Sequence, residues 1–482
     1  MPWEPYAQPA YDFSRAMQGP VLEMMQRGWY VDTALREQLL HDVQSRQARL
    51  RSIIEKYCAA YEHESVFGPK AESPTKLIHL LYTHLKLPPQ FKYDKKKKER
   101  KLSSEREALE NLQNYWIVAP FISAILKFRD LDGEKDVLSA KLDADGRMRA
   151  STNIVGAETG RFSQSENAFG TGRSLHNIEA TLRRVYTSDP GKKLGNFDLE
   201  QAESRLVGFL AFICSGRSTY LNACEAGDLH TFVARMVWPG LPWTGDIKLD
   251  KAIASKPFYR TFTYRDLAKR GGHATNYLTT PRTMAKALNV EEKICRAFQE
   301  AYFEAFPEIP TWHRSVATKL QTQGYLDTPL GRRRYFFGRR FDDATLREAV
   351  AHVPQSTISD IAKLGLYRVW QRSAQLNCEI LHENHDNIII QYPEHLEPII
   401  VPQVLELMKT PITHAGRTLI IPPAAKVGWI WAEEDDLIQA GCPHPDALVA
   451  WKGKDDRFRA QAPEPCRGLR GLFESLQSSG KL

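Results

Sequence analysis

Between Cys378 and Tyr392 the chain runs Ile380-Leu381, then Glu383-Asn384-His385-Asp386-Asn387, then three consecutive isoleucines, Ile388 to Ile390. β-Branched residues in a row fit a pleated, buried surface and lose side-chain freedom in a helix. The segment therefore reads as two strands joined by a tight turn, which commits the fold to an antiparallel pair with a buried face. The polar group at the turn, containing His385-Asp386, sits on that rigid support.

A second strand pattern, Lys193-Leu-Gly-Asn-Phe-Asp198, leads into Gln201-Ala-Glu203-Ser-Arg205-Leu-Val-Gly-Phe-Leu-Ala. There Ala202, Leu206, Phe209, Leu210 and Ile213 share one helical face, so Glu203 lies on the other and Asp198 stands at the strand end. A third segment, Arg265 to Tyr277, carries Arg265, Lys269, His273 and Tyr277 at every fourth position. On a helix these form one slowly drifting stripe. Two cations can meet phosphates while the rings pack against sugar and base, a pattern suited to a nucleoside triphosphate. Standing alone, such a row would be an ordinary basic surface helix.

With 482 residues and 42% hydrophobic side chains, the chain is globular and long enough for two to four units with cores. Its 65 Lys and Arg against 58 Asp and Glu give a net charge of +7, which permits nucleic-acid binding without arguing for it. The 7 cysteines are scattered with no C-x-x-C pair, excluding a regular zinc or disulfide framework. No signal-like start and no membrane-length apolar run are present, so a soluble cytoplasmic protein, of a bacterium or an infected host cell, is expected.

Along the chain, residues 1–19 are rich in Pro and aromatics and read as an irregular lead-in. Leu35, Leu39, Val43, Leu50 and Ile54 recur at helical spacing after Asp32 or Thr33, either of which can cap, giving a helix to about Tyr61. Pro74 to His84 is helical. The basic run Lys92 to Lys101 reads as a solvated loop or a mobile tip that grips a nucleic-acid backbone. After Lys141 come short extended pieces, then helices to about Thr322, a hairpin from Gly324 to Phe336 with a basic rim, and a helix over Arg347 to Trp370. Beyond Asp436 the Pro-rich sequence with Arg457, Arg459, Arg467 and Arg470 reads as an irregular appendage.

The order of these pieces resembles motifs A, B and C of family A DNA polymerases. Asp198-Leu-Glu-Gln201-Ala-Glu203-Ser-Arg205 is similar to the family's D-Y-S-Q-I-E-L-R; Arg265, Lys269 and Tyr277 match R-x3-K-x7-Y; His385-Asp386 matches the motif C dipeptide. Thr159-Gly-Arg161-Phe-Ser resembles T-G-R-L-S, Asn177-Ile178 resembles Q-N-I, and Asp228-Leu-His230 resembles D-I-H. Gly324-Tyr325, Gly331-Arg332-Arg333, Arg347 and Gln355 also agree in order and spacing. The resemblance covers roughly residues 20–435.

It implies an α+β, right-hand polymerase: a helical thumb at 20–145, an antiparallel-sheet palm at 146–215 and 341–435, helical fingers at 216–340, and an appendage at 436–482. It implies template-directed, primer-dependent DNA synthesis on primer-template DNA from deoxynucleoside triphosphates. The reaction needs two divalent ions about 4 Å apart, Mg²⁺ with Mn²⁺ as a substitute. Asp198 and Asp386 are implied as catalytic residues and, with the Leu199 carbonyl, as metal ligands. Gln201, Glu203, His230, Arg265, Lys269, His273 and Tyr277 are implied at the nucleotide, with Glu203 as a steric gate against ribose. Arg161, Asn177, Arg347, Gln355 and His385 are implied at DNA, where Arg161, Gln355 and His385 read minor-groove acceptors common to all base pairs.

Three departures stand out. His273 occupies a position usually held by Phe or Tyr, Leu278 replaces the Gly after the helix Tyr, and Asn387 replaces the Glu after His-Asp. Gly271 and Gly272 are costly inside a helix, so a looser or kinked fingers helix is expected. Only about 20 residues precede the polymerase-like region, so no proofreading domain in cis is expected, which leaves room for a separate exonuclease or processivity factor as partner. The alternatives are a single-subunit RNA polymerase, disfavoured by Glu203, and a non-catalytic primer-template binding protein.

Overall fold

The computed structural model describes residues 10–68, 71–94, 98–259, 262–455 and 457. The N-terminal region is largely helical. Helix α1 (Thr33–Ala60) starts where its sequence predicts, with the Asp32 carboxylate accepting from the Leu35 amide at 2.9 Å. It packs along α2 (Ala119–Ser139), and Gln47 of α1 donates to Asp132 of α2 at 2.6 Å. Ile54, Leu80, Leu109, Phe121 and Ile125 belong to a core of this region's own. The expected helix over Pro74 to His84 is an α-helical turn, Pro74–Ile78, followed by a π-helical one, His79–His84.

Two expectations here need correction. The basic run is a two-stranded hairpin, Phe91–Asp94 with Glu99–Leu102, although residues 95–97 lie outside the described ones. The lead-in is helical from Ala10 onward, as Ala10–Ala16 and Gln18–Arg27. Phe13, Met17, Val21 and Met24 recur at helical spacing and are buried in the central core, and Trp370 lies so close to Gly19 that an added Cβ would stand 2.5 Å from its ring. The first nine residues lie outside the described ones.

The middle of the molecule is a five-stranded sheet formed by β1 (Lys192–Leu199), β2 (Glu379–Asn384), β3 (Asn387–Pro393), β4 (Pro423–Gly428) and β5 (Val449–Ala450). Its order is β2-β3-β1-β4-β5, with every neighbour antiparallel. Side chains alternate between two cores. Phe197, Leu199, Ile388 and Ile390 enter one, whereas Leu194, Leu381 and Ile389 enter the other with Trp29, Tyr186 and Trp431. Burial on both faces explains the uninterrupted isoleucines. Helices α3 (Ala202–Ser215), α4 (Tyr264–Asn276) and α5 (Asp343–Leu376) contribute to the first core. The fold is α+β, as expected.

The presumption of an irregular appendage after 436 also fails for its described part. Glu434–Gln439 is helical, Leu437, Ala447 and Leu448 are buried, and β5 extends the sheet by pairing Lys426 with Ala450. The buried Lys193 amine lies 2.6 Å from Glu397 and 3.0 Å from Asp455. A strand only two residues long has no readable alternation, which is why the pattern hides it. Arg459, Arg467 and Arg470 lie outside the described residues. Among the described residues no helix is long and apolar enough to cross a membrane, and all six cysteines are free thiols.

Candidate active site

Strand register brings the two aspartates together. Asn387, the first residue of β3, pairs with Asp198 of β1, and the Leu199 amide donates to the Asp386 carbonyl at 3.2 Å. His385 makes the turn possible by adopting φ +67°. Burial first, and then the neighbouring Asp386, push the Asp198 carboxyl up to about 7; burial likewise raises Asp386. Two half-desolvated acids in this position call for a cation. Among the described residues no group of three or more His, Cys, Asp or Glu side chains is arranged to hold a metal. Two carboxylates with open remaining positions suit a hard ion that keeps waters and phosphate oxygens, as Mg²⁺ does.

Beside the aspartates lies the turn Thr159-Gly160-Arg161-Phe162, and what holds it was not foreseen. Lys363 of α5 donates to the Gly160 carbonyl, and its amine stands 4.0 Å from the centre of the Phe162 ring. Burial pushes the Lys363 amine down and the fully buried Glu383 carboxyl up, and attraction between the two opposes both shifts. Asp360, one turn before Lys363, receives Arg332 at 3.0 and 2.8 Å. Gly160 has φ +78°, and an added Cβ would stand 2.9 Å from the Arg332 guanidinium carbon. Charged residues are usually read as surface, so only the helical spacing of Gln355, Ser359 and Lys363 could have signalled an inward stripe.

Arg161 projects from this turn to within 3.8 Å of Glu203, with its Nε buried and without a hydrogen-bond partner. Its charge favours the ionised Asp386. The His385 ring lies 5.0 Å from that of His176, whose Nε2 faces the Glu383 carbonyl at 3.1 Å. Burial, then Arg161, lower His385 to about 4, so it is neutral at pH 7.

Helix α4 begins with a capping box in which Thr263 and Asp266 satisfy each other's backbone. Its stripe is real. Arg265 meets Asp228 at 3.1 and 3.0 Å, and burial followed by Arg265 lowers His230 to about 4, with Lys269 contributing. His273 Nδ1 lies 3.3 Å from Glu203, and its ring 4.9 Å from that of Tyr277. The Tyr277 hydroxyl is buried beside Glu203, and burial and then Glu203 raise its pKa. Glu203 thus stands between Arg161 of the palm-side turn and His273 of α4. Gln201, in the left-handed region at φ +53°, donates to the Gly227 carbonyl at 3.1 Å, next to Asp228.

The expected loosening of this helix is absent, since α4 runs unbroken through both glycines. Gly271 is required by proximity: an added Cβ would stand 2.8 Å from the Phe298 ring. Leu278 has φ +56°, a conformation that costs a residue with a Cβ about 1 kcal/mol or more. Its side chain packs against the central core, which offsets part of that cost.

The remaining expected residues lie further out. Asn177 is exposed and lines a cleft of about 880 Å³ with Arg46, Arg49, Lys127 and Arg173, beside α1 and α2. Arg347 is exposed in the early turns of α5, and Gln355 is half-buried on the same helix, about two turns before Lys363. The side chains converging around the aspartates are therefore Arg161, Glu203, His385, Tyr277 and His273, with His230, Arg265 and Lys269 adjoining along α4.

Comparison with known proteins gives the family. The model of "DNA polymerase family A" matches residues 36–433. A thermostable DNA polymerase I of Thermus filiformis is 24% identical over 445 residues, covering 88% of this chain and 48% of that protein. DNA polymerase I of Chloroflexus aurantiacus is 25% identical over 458 residues, covering 89% and 44%. This chain spans about half the length of these relatives. The polymerase domain of Pol1 from M. smegmatis, solved in complex with DNA primer-template and dNTP, superposes with a TM-score of 0.70 at 22% identity, over 86% of this chain and 70% of that one. The match over residues 36–433 covers most of the sequence, and the chain belongs to DNA polymerase family A.

Proposed function

We propose that this protein is a DNA-directed DNA polymerase that extends a primer on a template. The observation that carries the reading is the Asp198 and Asp386 pair at neighbouring strand ends, approached by the cationic stripe of α4. Residues 20–145 act as thumb, 146–215 and 341–435 as palm, and 216–340 as fingers. A primer 3′-hydroxyl attacks the α-phosphate of a deoxynucleoside triphosphate, and pyrophosphate leaves. Two Mg²⁺ ions, held by Asp198, Asp386 and the Leu199 carbonyl, would supply activation of the hydroxyl and charge for the departing oxygens.

The chain's own residues bind and orient. Lys269, exposed and adjacent to Arg265, meets the triphosphate as a point charge. Arg265 exchanges the Asp228 carboxylate for phosphate oxygens. His230, neutral at pH 7, serves as a hydrogen-bond donor. Glu203 closes the sugar edge, Gln201 supports it, and Tyr277 with His273 forms the wall beside the base. Arg161, His385 and Gln355 contact the primer end in the minor groove, while Asn177 and Arg347 contact the DNA backbone.

Extension of a primed template by the unmodified protein, with deoxynucleotides, with ribonucleotides and without template, tests the reading. Template-dependent extension with deoxynucleotides alone is the expected result. Equal use of both sugars would make the protein an RNA polymerase, and tight primer-template binding with no addition would make it a non-catalytic clamp.

A further inference from the structure

Residues 332–341, Arg-Arg-Arg-Tyr-Phe-Phe-Gly-Arg-Arg-Phe, place five arginines and four aromatic rings in ten positions. The first part is one strand of a hairpin, Tyr325–Asp327 with Arg333–Tyr335, so successive side chains point to opposite faces. Inward, Arg334 pairs with Glu158, and Phe336 is buried with its ring 6.1 Å from that of His352. Outward, Arg333 lies 4.0 Å from the centre of the Tyr325 ring, Tyr325 lies 5.5 Å from Tyr335, and Tyr335 lies 6.3 Å from Phe337 with planes 20° apart.

The outward rings are bare. Phe337 is 96% exposed, Phe341 82% and Tyr335 53%. Isolated apolar residues at a surface need no explanation, but a continuous ladder of rings beside arginines is different. Arg333 is held by Asp327 at 2.7 and 2.9 Å. Arg339 and Arg340 form no ion pair with a carboxylate among the described residues, and the nearby Asp342 carboxylate caps α5 by accepting from the Ala344 amide. Stacking faces alternate with uncommitted cations.

We propose that this hairpin and the following Gly338–Phe341 stretch form a docking ledge for single-stranded DNA. Unpaired bases present the flat faces that Tyr335, Phe337 and Phe341 need, and the phosphates between them meet Arg339 and Arg340. A duplex hides its base faces, and an apolar protein partner leaves the arginines unused. Arg332 and Arg334, behind the ledge, hold Asp360 and Glu158 near the Gly160-Arg161 turn, so ledge and candidate site share one support. That the strand is template DNA rests on the polymerase reading; the single-strand affinity does not.

The test is fluorescence anisotropy of labelled oligo(dT) and of a blunt duplex of equal length, without nucleotide or metal ion. The F337A/F341A variant is expected to weaken oligo(dT) binding at least about fivefold, leaving the duplex within about twofold. The R339A/R340A variant is expected to reduce the slope of log K against log salt by about 1.4 on the single strand. Unchanged oligo(dT) binding in both variants, or an equal loss on the duplex, would overturn the ledge. Failure of the unmodified protein to extend a primer would instead overturn the polymerase reading and leave these affinities to be judged separately.

Discussion

The sheet floor and helix α4 bring charge to the same place by different means. On the floor, Asp198 and Asp386 are aligned by the backbone itself, because β1 and β3 are in register and the Leu199 amide bonds the Asp386 carbonyl. Neither acid can leave without breaking the sheet. On α4 the polar side chains are held by other side chains: Arg265 by Asp228, His273 by Glu203. Such partners exchange readily for a charged ligand. The difference teaches that the acidic floor is fixed by its backbone, whereas the side chains of α4 are paired internally and free to exchange partners with the triphosphate proposed above.

This contrast can be broken at several points. Replacing a floor acid should have the largest effect: Asp386→Ala is expected to slow primer extension at least about 10³-fold. Single-turnover kinetics would check this, and a variant extending at the native rate would remove the floor from the chemistry. Lys269→Ala should lower kcat/KM for deoxynucleotides by about 10²-fold, measured under steady state. A change below threefold would mean that the grip lies elsewhere than α4.

Glu203 joins the two regions, and Glu203→Ala should reduce discrimination against ribonucleotides by roughly 10- to 100-fold. Competition between the two sugars in one reaction reads this directly; unchanged selectivity would separate Glu203 from the sugar edge. The effect furthest from catalysis concerns stability. The folded protein keeps a proton on Asp198 up to about pH 7, whereas the unfolded chain releases it near 3.8. Folding takes up a proton between those values, so the metal-free protein loses stability as pH rises through that window. Asp198→Asn should remove this loss, a gain of up to about 4 kcal/mol at pH 8 in urea denaturation. Identical pH dependence in both proteins would refute the raised Asp198 carboxyl.

Much of this was legible in the sequence because local chemistry and global fold agree there. The isoleucine run signalled a buried strand, the cap at Asp32 or Thr33 and its following stripe signalled α1, and the four-residue repeat signalled α4. Residues 10–19 were misread because the prolines and aromatics around them masked the spacing of Phe13 and Met17 with Val21 and Met24. The tether of Lys363, Glu383, Asp360 and Arg332 was invisible for another reason: its members come from three distant segments, and no local pattern reports a buried ion pair. Gly271 was misjudged because helix propensity counts backbone freedom and cannot register the Phe298 ring.

The outermost strand has a consequence for anyone shortening this chain. β5 covers the free hydrogen-bonding side of β4, and Asp455 completes the surroundings of Lys193, whose amine also lies 4.6 Å from the centre of the Trp429 ring. A fragment ending before residue 449 would bare a row of unsatisfied amides and carbonyls and leave an interior ammonium short of one counter-charge. Bared sheet borders recruit one another, so such a fragment would tend toward aggregation even with every residue of the candidate site intact.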